Sequence, residues 1–364
     1  MAQLRLGGRY MPKDIRKVLA RVRWPQAHRA RLEALFAPAQ VVFADRDDEA
    51  AVEAALKDCD VAIVDGVLDD RYLAAPNLVW AHCDQSGVDG FAPRRLADHP
   101  LIVTSSKGRS GPVLAEHAIF FMLSLSYGAR RLARAQALRS WGVRGQEALR
   151  GLNGRRICIV GLGATGAHLA RQCAAFGMEI VAYRRRDTPS DVAGVKVYSK
   201  ARGDSVKAAI EGAEIVALCA SLNDQSYRMV GAAELCAMKR GGFLINMARA
   251  QLVDEAALLA ALKSGQLGGA GVDVTDPDEP LAPWSPLWSA PNLLLTPHVT
   301  PQMPDRTART LDLLAANIDR YRAGEPLLHR FEPHDVFTPP DAPPPFPGRY
   351  RLIRLWNRLV RPIT

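Results

Sequence analysis

Residues 155–186, RRICIVGLGATGAHLARQCAAFGMEIVAYRRR, restrict the fold of this chain more than any other stretch. The apolar run 157–160 reads as a buried strand that meets Gly161-Leu162-Gly163-Ala164-Thr165-Gly166. Leu169, Cys173 and Phe176 follow at helical spacing, Gly177 closes the helix, and 179–183 reads as a second strand. Strand, glycine turn, helix and strand in that order is the setting in which such glycines specify a dinucleotide site. Gly161 permits the tight turn, Gly163 clears a Cβ from the path of a diphosphate, and Gly166 lets the helix pack close to the strand. The amides of Ala164, Thr165 and Gly166 then open a helix whose dipole favours an anion.

The second strand ends on a basic run. An acidic residue about twenty positions beyond the glycines accepts hydrogen bonds from the ribose hydroxyls of NAD. Here that place holds Arg184, with Arg185 and Arg186 behind it. A guanidinium binds a 2′-phosphate in a charge-assisted fork, whereas a carboxylate repels it. The pattern therefore favours NADP(H). It leaves NAD(H) open, with Asp187 as a displaced ribose ligand.

A chain of 364 residues predicts two domains with enough core to need no covalent staples. The six cysteines are scattered without a C-x-x-C pair, which fits a reducing compartment and neither a disulfide framework nor a metal cluster. The first residues lack the apolar core of a secretory leader, and the longest apolar stretch, near 118–125, is too short to span a bilayer. A cytoplasmic protein is expected. The net charge of +9 comes with no nucleic-acid motif. Part of it is local, in Arg184–Arg186 and in the C-terminal Arg349, Arg351, Arg354, Arg358 and Arg361. Small anionic ligands account for it more simply.

Alternating strand and helix patterns imply α/β architecture with two doubly wound parallel sheets. In the first half, strands are expected at 17–22, 41–43, 61–64, 78–81 and 101–104, with helices at 26–36 and 49–57. After a polar loop at 105–111, a long apolar helix from Pro112 to Tyr127 leads into the half that carries the glycines. Further strands are expected at 215–218, 243–246, 270–274 and 293–295, with helices at 255–264 and 305–322. This divides the chain into a substrate domain (1–111 and 302–335), an inserted dinucleotide domain (112–301) and a tail (336–364). The stretch 332–347 is proline-rich and reads as extended linker. Residues 350–361 then form an amphipathic helix, with Leu352, Leu355, Trp356, Leu359 and Val360 on one face and arginines on the other. Docking on a second copy and lying on anionic lipid are both open to it.

Three groups fall at strand ends of the second half, where catalytic residues belong in open α/β sheets. They are Arg249, the acidic run Asp273-Val274-Thr275-Asp276-Pro277-Asp278-Glu279, and His298. An arginine fork holds a carboxylate and polarises a carbonyl, and a histidine donates a proton to the alkoxide that develops. A neighbouring carboxylate orients the imidazole and favours its charged form. In the first half, the turn Gln85-Ser86-Gly87-Val88-Asp89 offers backbone amides to a carboxylate, or is a plain connection.

The ordered set VGLGATGAHLARQCAAFGMEIVAY, LINMARAQLVDEAALLAALKSGQLGGAGVDV and PNLLLTPHV, with QSGVD and LAEHA upstream, resembles the D-isomer-specific 2-hydroxyacid dehydrogenases. The resemblance implies Arg249 as the substrate arginine, His298 as acid/base and Glu279 as its partner. It implies a carboxylate loop of amides at Ser86, Gly87 and Val88. It also implies Ala248 beside the cofactor, Asp273 on the nicotinamide carboxamide, and a homodimer. The expected activity is hydride transfer between NADP(H) and a small 2-keto or D-2-hydroxy acid. Four features depart from the family pattern: Ala250-Gln251 in place of two glycines, an acidic run one residue longer so that Asp278 competes with Glu279, Val299-Thr300-Pro301 after the histidine, and the tail. This fold also serves in NAD(P)-binding corepressors, so a regulatory scaffold with little turnover is the rival reading.

Overall fold

A computed structural model of the chain describes residues 13–45, 47–66, 68–89, 94–276, 279–300, 303–340 and 349–360. Contacts divide the chain into two units. One comprises 1–110 and 302–338, the other 111–301 and 339–364, so the second interrupts the first in sequence.

The first unit holds five strands: β1 (Lys17–Arg21), β2 (Gln40–Phe43), β3 (Val61–Val64), β4 (Trp80–Cys83) and β5 (Ile102–Ser105). They lie in the order β2-β1-β3-β4-β5, all parallel. This is the flavodoxin-like order. Successive side chains alternate between two cores. Leu19, Ala62, Val64, Ala81 and Cys83 face one, and Val18, Ala20, Val61, Ile63 and Trp80 face the other. Helix Arg306–Arg322 closes the second core, where Tyr321 stacks on Trp80 at 5.9 Å.

The second unit holds seven strands: β6 (Arg156–Val160), β7 (Glu179–Arg184), β8 (Lys196–Ser199), β9 (Ile215–Leu218), β10 (Gly242–Asn246), β11 (Leu267–Val272) and β12 (Leu293–Leu295). Their order is β12-β11-β10-β9-β6-β7-β8. The chain reverses direction across the sheet between β6 and β9, the switch point where ligands bind in such sheets. Helices Gly111–Ser126 and Ala164–Ala175 pack on one face, over Ile157, Ile159, Ile215 and Ile245.

Several expectations need correction. The fourth strand is Trp80–Cys83 and not 78–81, and the strand expected at 270–274 is Leu267–Val272. Phe176 is the exposed C-cap of its helix and not part of its buried stripe. Edge strand β8 and helix Ala129–Ala137 were not expected. That helix is amphipathic, with its arginines opposite Leu132, yet it buries none of its residues. The segment after 332 is not simply linker: Phe331 and Val336 enter the first core, around a short 3₁₀ turn at Pro333–Asp335. The tail helix runs Arg349–Leu359 and buries Ile353, which the expected apolar face omitted. Residues 341–348 lie outside the described set. No helix among the described residues is long and apolar enough to cross a membrane.

Candidate active site

The glycine turn lies at the switch point of the second unit, and each glycine has its own steric reason. Gly161 takes φ +105°, and a Cβ there would meet the backbone of Cys219 and Ala220 after β9 at 2.4–2.7 Å. At Gly166 a Cβ would fall 2.1 Å from the Gly161 carbonyl oxygen. Gly163 is different: nothing stands within 4 Å of its would-be Cβ. It precedes helix Ala164–Ala175, and no side chain caps that helix. The leading amides of Ala164, Thr165 and Gly166 lack intrahelical partners by geometry, which makes an anion site.

At the end of β7, Arg184 donates from Nη1 to the carbonyls of Thr188 (3.2 Å) and Pro189 (3.1 Å). That pins its guanidinium on the loop, while Arg185 and Arg186 are exposed beyond it. Asp187, the alternative ribose ligand, pairs with Arg202 at 2.9 Å.

Three strand ends of this unit carry the remaining groups. After β10, Asn246 ties the turn together, accepting from the Ala248 amide (3.1 Å) and donating to the Arg249 carbonyl (2.9 Å). Arg249 Nη1 donates to the Ala248 carbonyl at 2.8 Å. Gln251, which stands where a glycine was expected, donates to Asp276 at 2.6 Å. After β12, His298 Nδ1 and Glu279 Oε2 are 2.7 Å apart, and Glu279 Oε1 accepts from the Thr275 amide at 3.0 Å. Asp278 lies outside the described residues. The bond to Glu279, against some desolvation, raises the His298 pKa above the ordinary imidazole value. Burial pushes the Glu279 carboxyl upward, yet the His298 bond, the Thr275 amide and the charge of Arg249 prevail and hold it low. The charge of Arg249 acts on both members of the pair.

Asp273 was expected to serve the cofactor. Its carboxylate takes four donors from the segment around His298. Oδ1 accepts from Thr296 Oγ1 (2.5 Å) and the Val299 amide (3.0 Å), and Oδ2 accepts from the Thr300 amide (3.0 Å) and hydroxyl. His117 adjoins the same two threonines and was missed, although it lies in the LAEHA run. Among the described residues no group of three or more His, Cys, Asp or Glu side chains is arranged to hold a metal.

The turn with Ser86, Gly87 and Val88 belongs to the first unit and follows β4. Ser86 Oγ donates to the Ser106 carbonyl at 3.2 Å. Beneath it lies a buried network that the sequence reading did not foresee. The Asp84 carboxylate pairs with Arg109, and both side chains are at most 6% exposed. It also accepts from Thr310 Oγ1 (2.8 Å) and Trp24 Nε1 (3.1 Å). Arg109 and Arg306 donate to the Asp84 carbonyl at 3.0 and 3.1 Å.

Comparison with known proteins agrees with this layout. The profile described as D-isomer specific 2-hydroxyacid dehydrogenase, NAD binding domain, matches residues 119–300. A glyoxylate reductase of Korarchaeum cryptofilum is 29% identical over 282 residues, spanning 74% of this chain and 82% of its own. A glycerate dehydrogenase of Methylorubrum extorquens is 28% identical over 264 residues, spanning 71% and 80%. The crystal structure of a D-isomer specific 2-hydroxyacid dehydrogenase from Xanthobacter autotrophicus, in complex with NADPH and MES, matches with a TM-score of 0.72 at 28% identity, over 88% of this chain and 99% of that one. With two parallel α/β sheets, the glycine turn at the switch point and this matched profile, the chain belongs to the D-isomer-specific 2-hydroxyacid dehydrogenases, NAD(P)-dependent oxidoreductases.

Proposed function

We propose that the protein reduces a small 2-keto acid of the glyoxylate or hydroxypyruvate type to the D-2-hydroxy acid, with NADPH preferred over NADH. The observation that carries this reading is the His298–Glu279 pair within the field of Arg249. A scaffold without turnover would have no use for an imidazole whose hold on its proton is strengthened by a bonded carboxylate, which favours the enzyme over the corepressor reading. The relatives named as glyoxylate reductase and glycerate dehydrogenase, and the NADPH in the Xanthobacter structure, support the same assignment.

The residues fit the cofactor. Gly163 leaves open space before an uncapped helix start, which suits a diphosphate. Arg185 and Arg186 supply exposed cationic groups for a 2′-phosphate, with Ala248 and Asp273 near the nicotinamide end. When bound, NADPH supplies the hydride. Arg249 binds the substrate carboxylate and polarises its carbonyl. The amides of Ser86, Gly87 and Val88 are assigned to carboxylate binding in the first unit. His298, bonded to Glu279 through Nδ1, keeps its transferable proton on Nε2 and delivers it to the alkoxide oxygen. Glu279 offsets the imidazolium charge.

Steady-state reduction of glyoxylate, hydroxypyruvate, pyruvate and bulkier keto acids with both cofactors tests the assignment. One charge-assisted contact to the 2′-phosphate is worth about 1.5–3 kcal/mol, so kcat/KM with NADPH should exceed that with NADH by roughly 10–100-fold. Replacing Arg185 and Arg186 by alanine should remove that margin. Equal use of both cofactors by the wild type would defeat the NADPH assignment.

The pH dependence follows from the raised His298 pKa. Reduction requires the protonated imidazole, so kcat/KM is full at low pH and falls as pH rises through a value above the ordinary one. Glu279→Gln should move that descending limb to lower pH; an unchanged limb would show that Glu279 does not set it.

A cytoplasmic homodimer is part of the proposal. Trp141 is fully exposed, with Leu138 at 68% beside it after helix Ala129–Ala137, and a second copy would cover such a patch. Light scattering of the wild type should give twice the chain mass, and Trp141→Ser should shift it toward the monomer. The tail helix, with Leu352, Leu355 and Trp356 about half exposed, is assigned to the same assembly. Co-sedimentation with anionic vesicles would assign it to a membrane surface instead.

A further inference from the structure

His298 occupies left-handed backbone at φ +52°, which costs a non-glycine residue about 1–2 kcal/mol and persists only where its surroundings enforce it. The enforcement is visible. Asp273, 1% exposed at the end of β11, receives the amides of Val299 and Thr300, immediately after the strained residue, and the hydroxyls of Thr296 and Thr300. Each carboxylate oxygen thus has two donors.

A proton inventory extends this clamp to the helix Gly111–Ser126. A threonine hydroxyl has one hydrogen, and both are spent on Asp273. The threonine oxygens therefore turn only lone pairs toward His117. Its Nδ1 is in close contact with Thr300 Oγ1, and its Nε2 lies 3.4 Å from Thr296 Oγ1. A neutral imidazole has one N–H, and the closer contact requires it on Nδ1. Donation into the Thr300 hydroxyl strengthens that hydroxyl's own bond to Asp273. The ring stacks on Phe121 at 4.5 Å and tilts against Phe120 at 5.6 Å. Among the described residues Asp273 is the one charged group that bears on it, and burial outweighs that carboxylate to disfavour the imidazolium.

We propose that His117 is a positioning residue: by donating Nδ1–H to Thr300, it locks the Asp273 clamp and so fixes the backbone that aims His298. This rests on the reading of His298 as the proton donor.

The test compares His117→Phe, which keeps the stack on Phe121 but has no N–H, with His117→Asn, which returns an N–H near the position of Nδ1. Thr300→Val removes the acceptor at nearly constant shape. Two readouts are taken: kcat and KM for glyoxylate with NADPH across about pH 5.5–9, and the His298 titration by NMR of ¹³C-labelled histidine, assigned by its absence in His298→Gln. A misaimed catalytic group costs on the order of 10–100-fold, so His117→Phe and Thr300→Val should lose that much kcat with little change in KM. Both should titrate His298 at lower pH, because its bond to Glu279 loosens. His117→Asn should recover most of the rate and the wild-type titration. The proposal is overturned if His117→Phe stays within about threefold of wild type, or if Phe and Asn lose activity equally while His298 titrates as before. A wild type that reduces no 2-keto acid would defeat the functional reading instead; the NMR titration, which needs no turnover, still decides the role of His117.

Discussion

His298→Gln is expected to lower kcat for keto-acid reduction by about 10²–10⁴-fold, the usual loss when a positioned general acid is removed. Glutamine retains a donor amide but has no proton to release near neutral pH, so the developing alkoxide must take its proton from water. NADPH binding should survive, because the glycine turn and Arg184–Arg186 belong to other strand ends than the histidine. The prediction therefore separates chemistry from cofactor affinity: fluorescence titration gives a near-wild-type Kd while turnover collapses. A variant that keeps more than about a tenth of wild-type kcat would remove His298 from the role of principal acid. Glu279→Gln should fall between wild type and this variant, since it changes the orientation and pKa of the imidazole without deleting it.

The second large effect concerns stability. Asp84→Ala should destabilise the first unit by about 3–5 kcal/mol, the penalty for leaving a buried partner charge uncompensated. Burial already disfavours the charged form of Arg109, and Asp84 is the anion that opposes this. Thr310 and Trp24 lose an acceptor in the same stroke. Because Asp84 lies two residues before Ser86, the folded fraction should also bind keto acid more weakly. Urea unfolding followed by circular dichroism, with both units analysed as separate transitions, measures the loss. A first transition within about 1 kcal/mol of wild type would show that the Arg109 charge is relieved some other way.

What the residues disclosed in advance depended on how local the physics was. Gly161, Gly163 and Gly166 could be read because a strand, a turn and a helix follow one another within twenty residues; a Cβ would meet backbone at Gly161 and Gly166, and Gly163 faces open space. Arg249, Glu279 and His298 were expected through strand ends and resemblance; in the structure Glu279 bonds to His298, and the charge of Arg249 bears on both. The hydrogen-bond partners of Asp273 and Asp84 were not readable. Asp273 meets Thr296 and Thr300, 23 and 27 residues away, and Asp84 meets Thr310 at a separation of 226. No periodicity records such pairings. Helix Ala129–Ala137 was not foreseen although its arginines fall opposite Leu132; it is short and buries nothing, so no core pattern points to it.

The division of the first sheet's core between the two ends of the chain has a consequence during synthesis. Val18, Ile63 and Trp80 emerge from the ribosome well before Leu311, Leu314, Ile318 and Tyr321, which cover them. At 5–20 residues per second, translating the intervening stretch of about 200 residues takes roughly 10–40 s. For that interval one flank of the early sheet stays wet and sticky, while the glycine-bearing unit has its whole seven-stranded sheet in one stretch and lacks only its C-terminal segment. Nascent-chain arrest just short of Arg306 should therefore yield a protease-resistant middle and a labile front, and chaperone demand should peak there.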